Sequence, residues 1–247
     1  MAHSKELFPV EVDPFFAEDL RQMERAVNYR DWQFRMVEPF LGKRVLEIGG
    51  GIGNFTPQLA GNHRDVVSLE PNEFCFRQLE EKTRDHVNVR PLRATVETLD
   101  TVLAPDERFD SVVLMNVLEH IEDDLAALVA LKRRLDANGK LVVLVPAGPW
   151  AFGAIDRRLG HYRRYSKSYS RRLFNAANLG VEFIRYYNFI GIWGWWWNAR
   201  MGGLEGQSDA QIRMFDQWIV PVVSRVERFI RPPVGQSILI ISHHYES

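Results

Sequence analysis

Apolar residues recur along the chain at two spacings, one typical of helices and the other of strands. Between Pro14 and Phe40 they return every three or four positions, which predicts one or two amphipathic helices. Short runs rich in Val, Leu and Ile follow, with helical stretches between them. They predict strands at Arg44–Ile48, Asp65–Leu69, Val87–Leu92, Phe109–Met115 and Lys140–Val145. Because strands that alternate with helices form parallel sheets covered on both faces, we expect a doubly wound α/β fold.

The same reading places helices between these strands and adds two strands near the end. The predicted helices are Phe55–Ala60, Asn72–Arg84, Ile121–Asp136 and Tyr169–Asn178, and the third should stop at the Asn138-Gly139 pair. The last strands should be Val181–Tyr187 and Ser237–His243. The residues between them hold a tryptophan-rich segment and a helical pattern from Asp209 to Arg231, which predicts a helical insertion.

The composition removes several classes of function. A formal net charge of -1 disfavours nucleic acid as a partner. A single cysteine, Cys75, excludes an internal disulfide framework and a zinc cluster built on thiolates, and the absence of a carboxyl-rich cluster disfavours an obligatory metal. The first residues lack the pattern of a secretion signal, and no apolar run is long enough to span a membrane. We therefore expect a cytoplasmic protein with no metal.

A glycine-rich turn follows the first predicted strand, and a carboxylate, Glu70, ends the second. Glycines allow backbone N–H groups to approach a ligand closely, and a carboxylate about twenty residues later can accept both ribose hydroxyl protons. The pattern thus predicts a site for an adenosine-bearing cofactor. A dinucleotide fingerprint, G-x-G-x-x-G, would need a third glycine where the chain has Asn54. This departure disfavours, without excluding, an NAD-dependent oxidoreductase.

The glycines instead follow the pattern Glu47-x-Gly49-x-Gly51-x-Gly53, which resembles the first motif of class I S-adenosylmethionine-dependent methyltransferases. The segment from Phe109 to Ile121, which contains Asn116-Val117-Leu118-Glu119-His120, is similar to the fourth motif of the small-molecule members. The resemblance implies a Rossmann-like, seven-stranded, mostly parallel sheet whose last two strands are antiparallel. It also implies S-adenosylmethionine as the cofactor. The residues it assigns to cofactor binding are Tyr29, Glu47, Gly49, Gly51, Gly53, Glu70, Pro71, Thr95, Val96 and Asn116.

A basic segment after the fifth strand, with Gly160-His161-Tyr162-Arg163-Arg164-Tyr165 at its centre, resembles a bacterial subgroup of these enzymes associated with sugars or lipid-linked glycans. Residues 157–172 include seven Lys or Arg and no acid, which suits a phosphate or carboxylate on the acceptor or, equally, a solvated loop. We predict acceptor contacts from Tyr162, Arg163, Arg164 and Trp195. The tryptophans between Trp193 and Trp197 suit packing, acceptor contact or a membrane interface.

Methyl transfer to a hydroxyl requires loss of a proton, and neutral histidine is a suitable base at pH 7. His120 and His161 are the candidates because both lie in motifs expected at the reactive end of the cofactor. Structural roles for both remain open at this stage.

These observations predict one methyltransferase domain over residues 1–247. Its parts are an N-terminal helical cap (1–42), a cofactor-binding core (43–187), a helical acceptor insertion (188–235) and the last strand (236–247). The expected acceptor is a small-molecule or lipid-linked hydroxyl, with peripheral membrane contact left open. A non-catalytic adenosyl-binding or scaffold protein is a further alternative. The sequence leaves open the acceptor, the attacked atom and the oligomeric state.

Overall fold

The protein is described by a computed structural model that covers residues 14–201 and 209–245. Seven strands form one sheet in the order β3-β2-β1-β4-β5-β7-β6. They are β1 Arg44–Ile48, β2 Asp65–Leu69, β3 Val89–Leu92, β4 Phe109–Met115, β5 Leu135–Pro146, β6 Leu179–Tyr187 and β7 Ser237–His244. Strands β1 to β5 pair in parallel, and β7 runs antiparallel to both β5 and β6. The predicted mostly parallel sheet with an antiparallel edge is confirmed.

The helices precede the sheet, connect its strands and form the insertion before β7. They are α1 Pro14–Arg25, α2 Val27–Val37, α3 Thr56–Leu59, α4 Glu73–Thr83, α5 Leu99–Val102, α6 Asp124–Lys132, α7 Ala154–Arg158, α8 Lys167–Ala176, α9 Phe189–Met201, α10 Asp209–Met214 and α11 Val220–Val226. A π-helical turn, Phe215–Ile219, joins α10 to α11. Among the described residues, none of the helices has both the length and the apolarity needed to cross a bilayer.

The sheet separates two apolar clusters because successive side chains on a strand point to opposite faces. In β4, Val112 and Leu114 belong to one cluster, while Val113 and Met115 belong to the other. The first cluster packs the sheet against α5, α6 and α8, and the second packs it against α2, α3 and α11. Burial on both faces explains why these strands appear in the sequence as continuous apolar runs.

The start of β5 differs from the sequence prediction. Helix α6 ends at Lys132, and Leu135 already pairs with Phe109, whereas Lys140 is paired with Ser111. The extra residues 136–139 form an irregularity in the ladder, so the predicted helix end at Asp136 is wrong. The buried Arg134 explains the early stop, because its carbonyl accepts from Phe109 N–H at 2.9 Å and its guanidinium donates to the Ala104 carbonyl at 2.6 Å.

The topology creates a crevice at the carboxyl edge of the sheet. Strand β1 lies in the middle, with β2 on one side and β4 on the other, so the connections after β1 and β4 leave in different directions. Ligands of open parallel sheets bind at such a switch point. The glycine turn after β1 and the short turn Leu118–His120 after β4 both lie there.

Candidate active site

A cavity of about 580 Å³ opens at this crevice. Its volume falls within the range of about 300 to 1,000 Å³ that is usual for small-molecule pockets. The lining brings together most of the predicted site residues, which are Tyr29, Gly49, Gly51, Glu70, Pro71, Thr95, Val96, Asn116, His120, His161, Tyr162, Arg164 and Trp195. Glu47, Gly53 and Arg163 lie outside this lining.

The glycine turn and Glu70 form one hydrogen-bonded unit. Gly49 and Gly51 have φ values of +72° and +55°, a backbone conformation that favours glycine. A Cβ on Gly49 would also lie 2.5 Å from Cγ2 of Val117, so a side chain is excluded there on two grounds. Gly51 N–H donates to Oε2 of Glu70 at 2.8 Å, and Asn72 N–H donates to Oε1 at 2.9 Å. The carboxylate is thereby fixed at the tip of β2, facing the cavity.

Burial raises the pKa of the Glu70 carboxyl group. Only 6% of the residue is exposed, and this loss of hydration raises the pKa of Glu70 to about 7, although the N–H groups of Asn72 and Gly51 lower it in part. The side chain therefore changes charge within the physiological pH range.

Glu47 and Gly53 are placed behind the turn rather than against the cavity. Oε2 of Glu47 accepts from Thr56 Oγ1 at 2.7 Å and from Ser68 Oγ at 2.6 Å, so the buried carboxylate connects β1 with β2 and α3. Burial raises the pKa of Glu47. This geometry orders the turn from behind and argues against the predicted direct cofactor contact by Glu47. Gly53 faces Lys82 and Leu79 of α4 instead.

Two loops complete the wall on the side of β3 and β4. Thr95 N–H donates to Thr98 Oγ1 at 2.9 Å, which orders the turn that carries Thr95 and Val96 into the lining. Asn116 has a φ of 56°, a left-handed conformation that asparagine tolerates better than most residues. Its N–H donates to the Leu144 carbonyl at 2.8 Å, so the first residue after β4 is held at the cavity rim.

Tyr29 is positioned by a residue from the distant insertion. Asp216 in the π-helical turn accepts from Tyr29 N–H at 2.8 Å and from Asn28 N–H at 3.3 Å, at the beginning of α2. The Tyr29 ring reaches the cavity, and burial raises the pKa of its hydroxyl, although hydrogen bonds with Ser237 and Asn188 lower it in part. Asp216 thus connects the insertion to the cofactor side of the site.

A buried polar cluster forms around Asp156, next to the cavity residues His161 and Arg164. Oδ1 of Asp156 contacts His161 Nδ1 at 3.0 Å and accepts from Arg164 Nε at 2.7 Å, while Oδ2 accepts from Gly153 N–H at 2.9 Å. Burial raises the pKa of Asp156, but its contacts with His161, Arg164 and Gly153 outweigh this effect and hold the pKa below the usual value. The carboxylate is therefore ionised and orients the His161 ring.

His120 and His161 meet beside this cluster, with ring centroids 4.7 Å apart and planes at 83°. Tyr162 N–H donates to the Glu119 carbonyl at 2.8 Å, which holds the loop of His161 against the turn of His120. Burial and the neighbouring His161 lower the pKa of His120 to about 3. The His120 ring is therefore neutral at physiological pH, and it is a weak base for proton removal.

The two neighbouring arginines have different roles. Arg164 is buried, donates to the Ala147 carbonyl at 3.1 Å, and lies over the Trp195 ring at 4.5 Å. It forms part of the cavity wall together with Trp195 from α9. Arg163 donates to the Ile121 carbonyl at 2.9 Å and pairs with Asp124 at 3.0 Å. Arg163 is thus engaged in holding the loop, which argues against the predicted acceptor contact.

Sequence reasoning missed Asp156, Glu119 and Asp216 as site residues. Asp156 stands five residues before His161 and could have been proposed as its partner, since acids commonly orient histidines. Glu119 directly precedes His120 in a motif already noted. Nothing local marks Asp216, because its partners Asn28 and Tyr29 lie 188 and 187 residues away.

Known proteins resemble this chain in both sequence and fold. A family described as "Methyltransferase domain" matches residues 20–189. The tRNA U34 carboxymethyltransferase of Pseudomonas savastanoi pv. phaseolicola is 34% identical over 117 residues, which cover 46% of this chain and 36% of that protein. The ubiquinone/menaquinone biosynthesis C-methyltransferase UbiE of Shewanella oneidensis is 33% identical over 109 residues, 42% of each chain. The chain thus spans well under half of these relatives' length.

The fold of this chain is also similar to that of solved methyltransferases. The crystal structure of a SAM-dependent methyltransferase from Archaeoglobus fulgidus superposes with a TM-score of 0.63 at 16% identity, covering 93% of this chain and 99% of the other. The family match sets aside the dinucleotide oxidoreductase. The chain belongs to the methyltransferase domain family, as a class I, Rossmann-like methyltransferase whose cofactor is S-adenosylmethionine.

Proposed function

We propose that the protein transfers the methyl group of S-adenosylmethionine to a hydroxyl oxygen of a small or lipid-linked acceptor, such as a sugar or a specialised metabolite. The observation that carries the proposal is that the histidine pair lines the same cavity as the glycine turn after β1 and Glu70 at the tip of β2. An adenosyl ligand whose ribose meets Glu70 directs its sulfonium towards the histidines. The acceptor then occupies the part of the cavity that Tyr162 and Trp195 line.

In this reaction the acceptor oxygen forms a bond to the methyl carbon as the carbon–sulfur bond breaks, and the hydroxyl proton leaves. His161 is the proton acceptor. Its Nδ1 faces Asp156 at 3.0 Å, so Nε2 carries the lone pair. Holding both reactants in attack geometry contributes up to roughly 7 to 11 kcal/mol, and a general base typically adds about 10²- to 10⁴-fold in rate. His120 packs edge-on against His161 and fixes the other side of the acceptor hydroxyl.

A lipid-linked acceptor is supported by an exposed apolar face on the insertion. Met214, Trp218, Val222 and Val226 follow one another at four-residue intervals, and Phe229 is 89% exposed. We call these five residues the apolar face. The two acids between residues 210 and 231, Asp216 and Glu227, are buried, whereas the arginines 213, 225, 228 and 231 are exposed. A cationic, tryptophan-bearing surface of this kind suits the interface of an anionic membrane.

The insertion, residues 188–235, therefore has two tasks in this proposal. It supplies Trp195 to the acceptor side of the cavity, and it presents the apolar face to a membrane from which a lipid-linked acceptor is taken. The described part of the predicted N-terminal cap, residues 14–42, covers the cofactor through Tyr29, and residues 43–187 hold it.

The test is an acceptor screen that measures release of S-adenosylhomocysteine, the demethylated cofactor. The panel contains free sugars, sugars linked to a polyprenyl phosphate, and phenolic metabolites. Transfer RNA is a further arm because one relative is a tRNA U34 carboxymethyltransferase. Turnover on a hydroxyl compound supports the proposal. Turnover on tRNA alone, or cofactor binding without turnover on any hydroxyl acceptor, contradicts it.

A further inference from the structure

Three side chains that can bind a metal ion converge at the acceptor end of the cavity. The carboxylate of Glu119 and the imidazoles of His120 and His161 each offer one ligand atom, and these atoms lie within 4.8 Å of one another. All three residues line the cavity. Two imidazoles and one carboxylate form a donor set that suits divalent first-row transition metals, whereas Mg²⁺ and Ca²⁺ prefer oxygen ligands alone.

Both imidazoles are held from behind, as metal-binding histidines usually are. His161 directs Nδ1 to Asp156 at 3.0 Å, and His120 hydrogen-bonds to the backbone of Gly160. Ligating histidines almost always donate one ring N–H to a carboxylate or backbone carbonyl, which fixes the other nitrogen towards the metal. A bond of this kind on each of two adjacent histidines is a second observation, independent of the clustering.

The surrounding charges are compatible with a cation. The guanidinium of Arg164, which interacts electrostatically with Glu119, is bonded to Asp156 at 2.7 Å, so its charge is offset within the cluster. Glu119 is fully buried, and its carboxylate is a second acidic group next to the Asp156–Arg164 ion pair.

We propose that Glu119, His120 and His161 bind one divalent transition-metal ion, with its remaining coordination positions open to the cavity. This inference rests on the proposed function for its chemical meaning. An acceptor hydroxyl on the ion becomes more acidic. Its proton then leaves to solvent water, its oxygen bonds to the methyl carbon, and the carbon–sulfur electron pair returns to sulfur. The ion keeps its oxidation state throughout. In the absence of the ion, His161 takes the proton directly and the reaction is slower.

The experiment titrates Co²⁺ into tag-free protein that has been treated with a chelator and then dialysed. Binding is followed by isothermal calorimetry and by the visible absorption of Co²⁺. We expect one ion per chain, and we expect at least about tenfold weaker binding in Glu119→Gln and His120→Asn. Asp156→Asn should weaken binding by about 10- to 100-fold through its effect on His161.

His63→Asn is the matched control, because His63 is exposed and has a φ of 55°, which asparagine accepts. It should bind Co²⁺ like the unchanged protein. Circular dichroism melting curves identify any variant that fails to fold, and the unchanged protein provides a test that needs no variant. The proposal is overturned if the unchanged protein binds no stoichiometric Co²⁺. It is also overturned if Glu119→Gln and His120→Asn are folded and bind Co²⁺ as tightly as the unchanged protein.

Methyl transfer is measured separately, with and without chelator. Metal binding without turnover on any hydroxyl acceptor would leave the metal site standing and refute the proposed function. If the protein binds no metal and its turnover is insensitive to chelator, the metal site is refuted and the proposed function stands.

Discussion

The raised pKa of Glu70 predicts that cofactor affinity depends on pH. The ionised carboxylate can accept from both ribose hydroxyls, whereas the protonated form loses an acceptor. With a pKa of about 7, about one tenth of the free protein is ionised at pH 6 and about nine tenths at pH 8, and apparent affinity scales with the competent fraction. The sign is therefore fixed: binding strengthens as pH rises through 7, by up to about tenfold between pH 6 and pH 8.

Replacing Glu70 with glutamine removes both the charge and the titration. The variant keeps the size of the side chain, and its amide oxygen can still accept from one of the two N–H groups that Glu70 now bonds. A hydrogen bond to a charged group is worth about 1.5 to 3 kcal/mol, so the dissociation constant at pH 8 should rise by about 10- to 150-fold. Between pH 6 and pH 8 the affinity of Glu70→Gln should be flat.

The assay is isothermal titration with S-adenosylhomocysteine, which cannot react. Repeating the titration at pH 7 in buffers of different ionisation enthalpy gives the number of protons exchanged on binding. About half a proton should be released from Glu70 per ligand bound. Glu80→Gln, on the exposed side of α4, is the matched control and should follow the unchanged protein. Equal affinity at pH 6 and pH 8, or a glutamine variant that binds as tightly as the unchanged protein at pH 8, would refute the ribose role of Glu70.

Three further predictions concern the acceptor end, the insertion and the apolar face. His161→Asn should lower kcat by about 10²- to 10⁴-fold and leave the dissociation constant for S-adenosylhomocysteine unchanged; an unaltered kcat would exclude His161 from proton removal. Asp216→Ala should lower the free energy of unfolding in urea by about 1 to 3 kcal/mol, since it leaves backbone N–H groups at the start of α2 without their acceptor. It should also weaken cofactor binding through Tyr29, whereas exposed Gln217→Ala should do neither. Trp218→Ser combined with Phe229→Ser should reduce sedimentation with phosphatidylglycerol vesicles without changing turnover of a water-soluble acceptor; undiminished sedimentation would rule out the apolar face as the membrane contact.

Much of the part of the site around the glycine turn and Glu70 could be predicted from the sequence, because the sequence patterns that indicate it are local. The strand bounds of β1, β2 and β4 follow from short apolar runs, and a strand buried on both faces needs such a run wherever it lies. The glycine turn and Glu70 are about twenty residues apart, and the parallel pairing of β1 with β2 makes them neighbours. Backbone chemistry and strand order therefore determine this part of the site before any detailed packing is known.

Local signals failed where a side chain from another part of the chain intervened. The Asn138-Gly139 pair is a usual helix stop, yet α6 ends at Lys132. The reason is the burial of Arg134 between the α5 region and β4, where its carbonyl receives Phe109 N–H. No pattern within the helix itself indicates that contact.

The arrangement of the residues proposed to face the acceptor depends on the tertiary structure. The sequence identified His120 and His161 individually, but only the fold brings their rings within 4.7 Å and places Asp156 behind one of them. It also turns Arg163 away from the cavity and Arg164 into its wall. Asp216 reaches Tyr29 across 187 positions of sequence. A sequence specifies directly what neighbouring residues do to one another, whereas a buried polar cluster forms only where packing excludes water and each charged group must find its partner across the fold.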